Sequence, residues 1–297
     1  MSFLSVSEFY GMDLLGNILP GFYITSSKVH ATFGNSNGVG SYFSLMVPLA
    51  VMMFIRSKNK IENIFFAFLS MSCIVGLIVS TSRISWISVL TCLILCIFLI
   101  DSRLLSYKKL LIVIVATVLS AYIINITSSS TIHKSISDTA RQVEDIKDNN
   151  IHKFGSKRFY IYYKFIMLTF ESSRKSLVGV GPDCLINYSK PSPEDIKRFP
   201  GISSTNVDKA HSDLIEYMAS MGVPSLIFYI CFILSILLPW LKNVKNASPE
   251  MTGIFAAWLG YLLQSLFNIH HIGIIGIFIV LSAILNRTFF TRHSKVV

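Results

Sequence analysis

Long apolar runs, broken by short polar stretches, set the reading of this chain. The runs fall at 39–55, 62–81, 84–101, 109–127, 213–241, 251–269 and 272–288. A helix needs about 20 consecutive apolar residues to cross a bilayer. Within hydrocarbon, only helices and closed barrels satisfy their own backbone polar groups. The pattern therefore predicts an all-α polytopic membrane protein with about seven transmembrane helices. The 213–241 run is longer than a bilayer requires, so its outer turns project into the interface or the helix tilts. Gly222-Val223-Pro224 lies inside it, and Pro224 has no N–H for the helical ladder, so a break or bend is expected there.

The 128–212 segment is the one large polar piece. Loops of that length usually carry function. Within it, "SKRFYIYYKFIMLTFESS" places Phe159, Tyr163, Ile166 and Phe170 at helical spacing. That predicts an amphipathic helix near 157–171, lying on the outer bilayer surface. "VGVGPDCL" reads as a turn and "SKPSPEDIKRFPGISSTN" as an irregular segment.

Charge then orients the spans. Arg56, Lys58 and Lys60 follow one apolar run, and Arg103, Lys108 and Lys109 another. Lys242 and Lys245 follow a third, and Arg287, Arg292 and Lys295 close the chain. Short basic loops on alternate sides are the positive-inside signal. It places 56–61, 102–108, 242–250 and the tail in the cytoplasm. The expected organisation is an extracytoplasmic segment at 1–38, a four-span region at 39–127 and an extracytoplasmic loop at 128–212. A three-span region at 213–288 and a cytoplasmic tail at 289–297 complete it. An extracytoplasmic start has no span before it, and residues 3–24, with Glu8, Gly11 and Asp13, read as a re-entrant or surface segment. Either the N-terminus is translocated directly or, as the rarity of a short outside start favours, the chain is the C-terminal part of a longer protein.

Composition agrees with the membrane class: 52% hydrophobic, 14% charged, where a soluble domain carries about 25% charged residues. The net charge of +10 raises a nucleic-acid reading, but its confinement to short loops argues against one. Cys73, Cys92, Cys96 and Cys231 lie in apolar runs and Cys184 stands alone in a loop. Neither a disulfide framework nor a zinc site follows from that spacing, and no cofactor is expected.

A few polar residues sit where chemistry at a membrane surface would need them. Arg83, in "VSTSRISW", lies between two apolar stretches. It either snorkels to the outer headgroups or binds an anion in a polar cavity. Arg158 opens the amphipathic helix beside Lys157. It is either a solvated charge or a bidentate donor to phosphate oxygens. His211 precedes the long fifth span, where the positive helix end favours neutral imidazole, which can act as a general base. Its bland alternative is an interfacial hydrogen-bonding histidine. Asp208 or Ser212 could cap that helix. Asp213 and Glu216 could orient the imidazole or bind an acceptor sugar. His270 and His271 read as turn residues, with lining of the cavity as the lesser alternative, and the Glu144–Asp145 and Glu194–Asp195 pairs as solvated loop charge.

Four stretches, in order, resemble the O-antigen ligase and polymerase superfamily of bacterial membrane glycosyltransferases. "HATFGNSNGVGSYFSLMVPLAV" is similar to its Gly-Thr-Phe-Gly-Asn-Pro-Asn element, and "STSRISWISVL" to its Ser-Arg-Gly-x-Trp junction. "GSKRFYIYYKFIML" followed by "SLVGVGPD" is similar to its Gly-x-Arg helix and Gly-x-Gly turn. "AHSDLIEYMASMGVPSLIFY" is similar to its Ala-His-Asn element. The chain departs at Ser36 for the usual Pro, Ile84 for Gly, Ser212 for Asn and Pro224-Ser225 for a second Gly region. Family members also carry further spans before the first element.

The resemblance implies a donor glycan on undecaprenyl diphosphate, presented outside the bacterial cytoplasmic membrane, and a saccharide acceptor. It implies that Arg83 and Arg158 bind the diphosphate and that His211 takes the acceptor proton. The enzyme would be a metal-independent inverting glycosyltransferase in lipopolysaccharide or capsule biosynthesis, embedded in membrane lipids, working with other polysaccharide-assembly proteins or a preceding portion of chain. Ligase and polymerase differ in acceptor, and a protein-directed oligosaccharyltransferase is a third variant. Outside that chemistry stand an inactive family fragment and a transporter of an anionic solute. No internal repeat or paired broken spans support the transporter.

Overall fold

The computed structural model describes residues 1–12, 14, 29–101, 105–128, 133–138, 140, 157–199, 202 and 207–293. Asp13, Arg103, Glu144, Asp145 and Lys295 lie outside them. Among the described residues there are helices and no strands. The main helices are α1 (Ser2–Phe9), α2 (Ser36–Arg56), α3 (Lys60–Val79), α4 (Arg83–Leu99) and α5 (Tyr107–Thr127). They continue with α6 (Arg158–Phe170), α7 (Ser173–Val178), α8 (Pro193–Arg198), α9 (Asp213–Asn243), α10 (Pro249–Ser265) and α11 (Ile272–His293). By length and composition α2, α3, α5 and α9 can cross a membrane, and α4 and Ile272–Arg287 are shorter apolar helices. The chain is an all-α polytopic membrane protein. It divides into two compact units.

The first unit holds Met1–Ser135, Ile236–Gln264 and His271–Val297. Its centre is α2, which packs against α3, α4 and α5. Asn35 caps the start of α2 by accepting from the backbone N–H groups of Asn37 (2.6 Å) and Gly38 (3.0 Å). Arg56, buried at its other end, donates to the carbonyls of Ala247 (2.8 Å) and Ser248 (3.3 Å) and to the Thr252 hydroxyl. Lys109 donates to the carbonyls of Phe54 (3.0 Å) and Ser57 (2.5 Å). Two of the basic residues that orient the spans therefore also satisfy open carbonyls, Lys109 those where α2 ends and Arg56 those just before α10. Farther along, Trp240, Phe255, Trp258 and Phe278 form a stack, with successive centroids 5.5, 6.3 and 5.8 Å apart. The buried Trp258 indole donates to the Ser282 hydroxyl at 2.8 Å.

The second unit holds Ile136–Ser235 and Ser265–His270. Its core sets Tyr160, Ile161, Phe165 and Leu168 of α6 against Leu185, Ile202, Val207, Ala210 and Ala219. The stripe expected to face the bilayer is not the one that forms this core: Phe159 and Phe170 are exposed, and Tyr163 and Ile166 are half-buried. A short helix this rich in aromatics has two apolar faces, and periodicity does not say which one turns inward.

The long helix α9 is broken, and the break sits at Gly222 (φ 84°, ψ 169°) rather than at Pro224. The break leaves carbonyls of the first segment without helical partners, and the loop after α7 supplies them. Val180 N–H donates to the Ala219 carbonyl (3.0 Å) and Gly181 N–H to that of Ser220 (2.9 Å). The two backbones approach too closely for side chains. A Cβ on Gly222 would fall on the Leu177 carbonyl, and one on Gly179 (φ 72°) on the Ser220 carbonyl. Pro224 then falls in the first turn of the second segment, where its missing N–H is harmless.

Candidate functional site

Arg158, His211, Asp213 and Glu216 all belong to the second unit, whereas Arg83 belongs to the first. In the second unit the first turn of α6 carries Arg158, and Tyr162 follows one helical turn later on the same face. The Arg158 side chain hydrogen-bonds the Tyr162 hydroxyl and donates from Nη1 to the Phe267 carbonyl. Tyr162 in turn donates to the His211 carbonyl at 2.9 Å. A single phenol thus joins the arginine to the histidine loop.

His211 has a left-handed backbone, φ 55°. That conformation is uncommon for a residue with a side chain and often marks a functional position. Its Nδ1 is buried with no hydrogen-bond partner among the described residues. Burial, then the positive charge of Arg158, pushes the imidazole below its usual pKa, against a smaller opposing pull from Asp208. Both effects favour the neutral imidazole, whose buried Nδ1 has no hydrogen-bond partner among the described residues.

Neither nearby carboxylate reaches that nitrogen. Asp213 Oδ1 accepts the His270 backbone N–H at 2.9 Å, and Oδ2 stands 3.0 Å from His270 Nε2. Glu216 Oε2 accepts the Ala210 N–H at 2.7 Å, which fixes the loop just before His211. Of the two capping candidates, Asp208 is exposed, and the Ser212 carbonyl accepts the Glu216 N–H at 2.8 Å. Asp213 and Glu216 thus hold backbone in place: Asp213 fixes the 265–270 turn on which Arg158 is anchored, and Glu216 fixes the histidine loop. His270 is half-buried, and its desolvation lowers its pKa to about 4. Its ring also lies 3.3 Å from the Tyr229 hydroxyl.

In the first unit Arg83 is the half-buried first residue of α4. The turn before it is tight, with Thr81 at φ 53°. Trp86 Nε1 pins that turn through the Leu77 carbonyl (2.8 Å), and the Ser82 and Ser85 hydroxyls pair at 2.9 Å. Ser82 also reaches Asn37 Oδ1 at 3.4 Å, so this motif meets the one at 30–38. Glu8 of α1 supports the 30–38 motif from the other side. Its carboxylate accepts the N–H groups of His30 (2.8 Å) and Ala31 (2.6 Å), the latter at φ 43°. His271 Nε2 lies 3.1 Å from the Phe33 carbonyl.

The contacts of Tyr162, His270 and Glu8 lie outside what the sequence pattern predicts. The spacing of four between Arg158 and Tyr162 could have found the first. Nothing local marks His270 or Glu8, whose partners are distant in sequence. Among the described residues no group of three or more His, Cys, Asp or Glu side chains could hold a metal ion.

The model of the O-antigen ligase family matches residues 66–230, more than half of the chain. The chain belongs to the O-antigen ligase family. The matched residues include Arg83, Arg158, His211, Asp213 and Glu216, and leave Glu8, the 30–38 motif and His270 outside. No curated protein matches the chain. As a family member and a membrane protein, it acts in glycan assembly of the O-antigen ligase or polymerase type, on lipid-linked glycan and saccharide substrates.

Proposed function

We propose that this protein transfers a glycan from undecaprenyl diphosphate to a hydroxyl of a saccharide acceptor, at the extracytoplasmic face of the bacterial cytoplasmic membrane. The observation that carries the reading is the Arg158–Tyr162–His211 cluster: a guanidinium bonded to the phenol that holds the loop of a neutral histidine with an unoccupied Nδ1.

The acceptor oxygen attacks the anomeric carbon, and the bond from that carbon to the diphosphate oxygen breaks. The acceptor proton passes to His211 Nδ1, and the bonding electrons leave with the diphosphate. A diphosphate is a stable anion, so no strong acid is required. Arg158 binds it with bidentate geometry and offsets the charge that grows on it. Direct displacement inverts the anomeric configuration. The assignment of Arg83 to the same diphosphate rests on the family resemblance alone. With guanidinium groups neutralising the leaving group, the transfer needs no metal ion.

The test is direct transfer. Purified protein in detergent, given undecaprenyl-diphosphate glycan and candidate acceptors, should consume donor and release undecaprenyl diphosphate. The product then separates a polymerase, which extends a lipid-linked repeat, from a ligase. A folded chain that leaves the donor intact with every acceptor contradicts the proposal.

A further inference from the structure

A cavity in the second unit lies beyond the cluster just described. It measures about 280 Å³ and is open to solvent. Its wall is α6 from Tyr163 to Leu168 with Glu171 just past the helix end, and Tyr188 and Asp195 also line it. Lys164 and Glu171 lie six and thirteen residues beyond Arg158. At 1.5 Å per residue those positions are roughly 9 and 20 Å from it along the helix axis.

The lining suits a particular ligand chemistry. Asp195 is held rigidly: the Ser192 N–H donates to Oδ2 at 2.9 Å, Lys164 Nζ sits 2.6 Å away, and the Ser192 hydroxyl accepts the Asp195 N–H. Lys175 pairs with Glu171 at 2.8 Å and lies 4.8 Å from the Tyr188 ring centroid. Arg198 lies 4.8 Å from the Tyr163 ring centroid and donates to its hydroxyl at 2.7 Å. Lys164, which lines the cavity, and the neighbouring Lys175 and Arg198 therefore each already face a carboxylate or an aromatic ring. A phosphate would have to break those pairs, and an acyl chain would bury them. A sugar ring needs neither. Its C–H face can lie on Tyr188, which is 39% exposed, and on Met167, which is 54% exposed. Its hydroxyls can share the Glu171 carboxylate, whose side chain is 62% exposed.

We propose that this cavity is a distal saccharide subsite, which grips a neutral sugar of the glycan more than one ring away from the bond being made. The inference rests on the glycosyl-transfer reading above. It adds that the protein holds an extended glycan at two points, with the reacting end at Arg158 and His211 and an earlier unit against Tyr188 and Glu171. Two-point attachment raises the effective concentration of the growing end and favours longer glycans.

The test uses the full chain in detergent. The probes are oligosaccharides of one to four repeats, released by mild acid from the host's own surface polysaccharide. Binding is followed by saturation-transfer NMR. Wild-type protein should bind multi-repeat probes more tightly than single repeats. Tyr188→Ala and Glu171→Gln should each weaken multi-repeat binding by roughly tenfold, while Val115→Ala, on an exposed face of α5, leaves it unchanged. Both substituted positions are solvent-facing, and Glu171→Gln keeps the side-chain shape, so loss of folding does not confuse the result. Equal binding by wild type and the two cavity variants, or no oligosaccharide binding by wild type, overturns the subsite. Competition of the probe by phosphatidylglycerol vesicles overturns it in favour of a lipid site. Donor consumption by wild type with no response in the cavity variants sinks this inference alone, whereas absence of consumption sinks the transfer reading.

Discussion

The two regions that carry the family's motifs are built from different materials. In the first unit, the 30–38 and 80–86 motifs meet through neutral groups, Ser82 on Asn37, and the Ser82–Ser85 pair and the Trp86 indole brace the turn itself. In the second, charged and titratable groups lie against one another: Arg158 on Tyr162, Tyr162 on the His211 loop, and Asp213 on His270. Neutral hydrogen bonds fix backbone geometry and respond little to pH. Ionisable groups that are partly desolvated respond to every nearby charge, which is what a reacting centre requires. Chemistry should therefore be lost abruptly from the second region, and shape gradually from the first.

Several substitutions can break or sharpen that contrast. The largest expected effect is at the cation. Arg158→Ala should lower donor turnover by about 10²–10³-fold, and Arg158→Lys should recover little, because a point charge cannot bind a diphosphate in bidentate fashion. Recovery by lysine would mean that charge alone matters. Next comes the backbone seam. Gly222→Ala or Gly179→Ala pushes a Cβ into a facing carbonyl and should cost about 1–3 kcal/mol of stability in a denaturation series. An unchanged transition would mean that the two backbones separate without penalty.

Smaller effects test the coupling itself. Tyr162→Phe keeps the ring but removes the hydroxyl that joins Arg158 to the His211 carbonyl. It should lower turnover by about tenfold while leaving the Glu8–His30 contact in the other unit intact. The charge linkage has a definite sign. Arg158 holds the His211 pKa down, so an NMR titration of Arg158→Ala should show that pKa moving up. Turnover of wild type should be flat near neutrality and fall only as pH drops through the lowered pKa, below the usual value of about 6.5. An acid limb above that value would place a different group in the base role. The smallest effect is expected at Val115, exposed on α5, where Val115→Ala should change stability by under about 0.5 kcal/mol.

Much of this was legible beforehand, for identifiable reasons. Apolar runs of membrane length mark α2, α3, α5 and α9 because lipid imposes a coarse, unambiguous pattern. That pattern does not distinguish buried from lipid-facing helices. The apolar window of α2 is 78% buried and that of α5 11%, though α5 is the more hydropathic. The break in α9 was visible as Gly222-Val223-Pro224, but its position at Gly222 depends on the 179–181 loop, about forty residues earlier. Arg158 and His211 were singled out by type and place. The roles of Asp213 and Glu216 were not legible, because each carboxylate engages a backbone N–H whose approach only the folded chain reveals. His270 was read as a turn residue for the same reason.

The most direct measurement of the central claim is donor turnover by His211→Ala beside wild type, in protein that remains membrane-inserted and folded. Loss of turnover by about 10²–10⁴-fold, with the folding transition unchanged, is the predicted result for removal of the general base. Turnover near the wild-type rate would contradict the account, because the buried, partnerless Nδ1 would then have no part in the transfer.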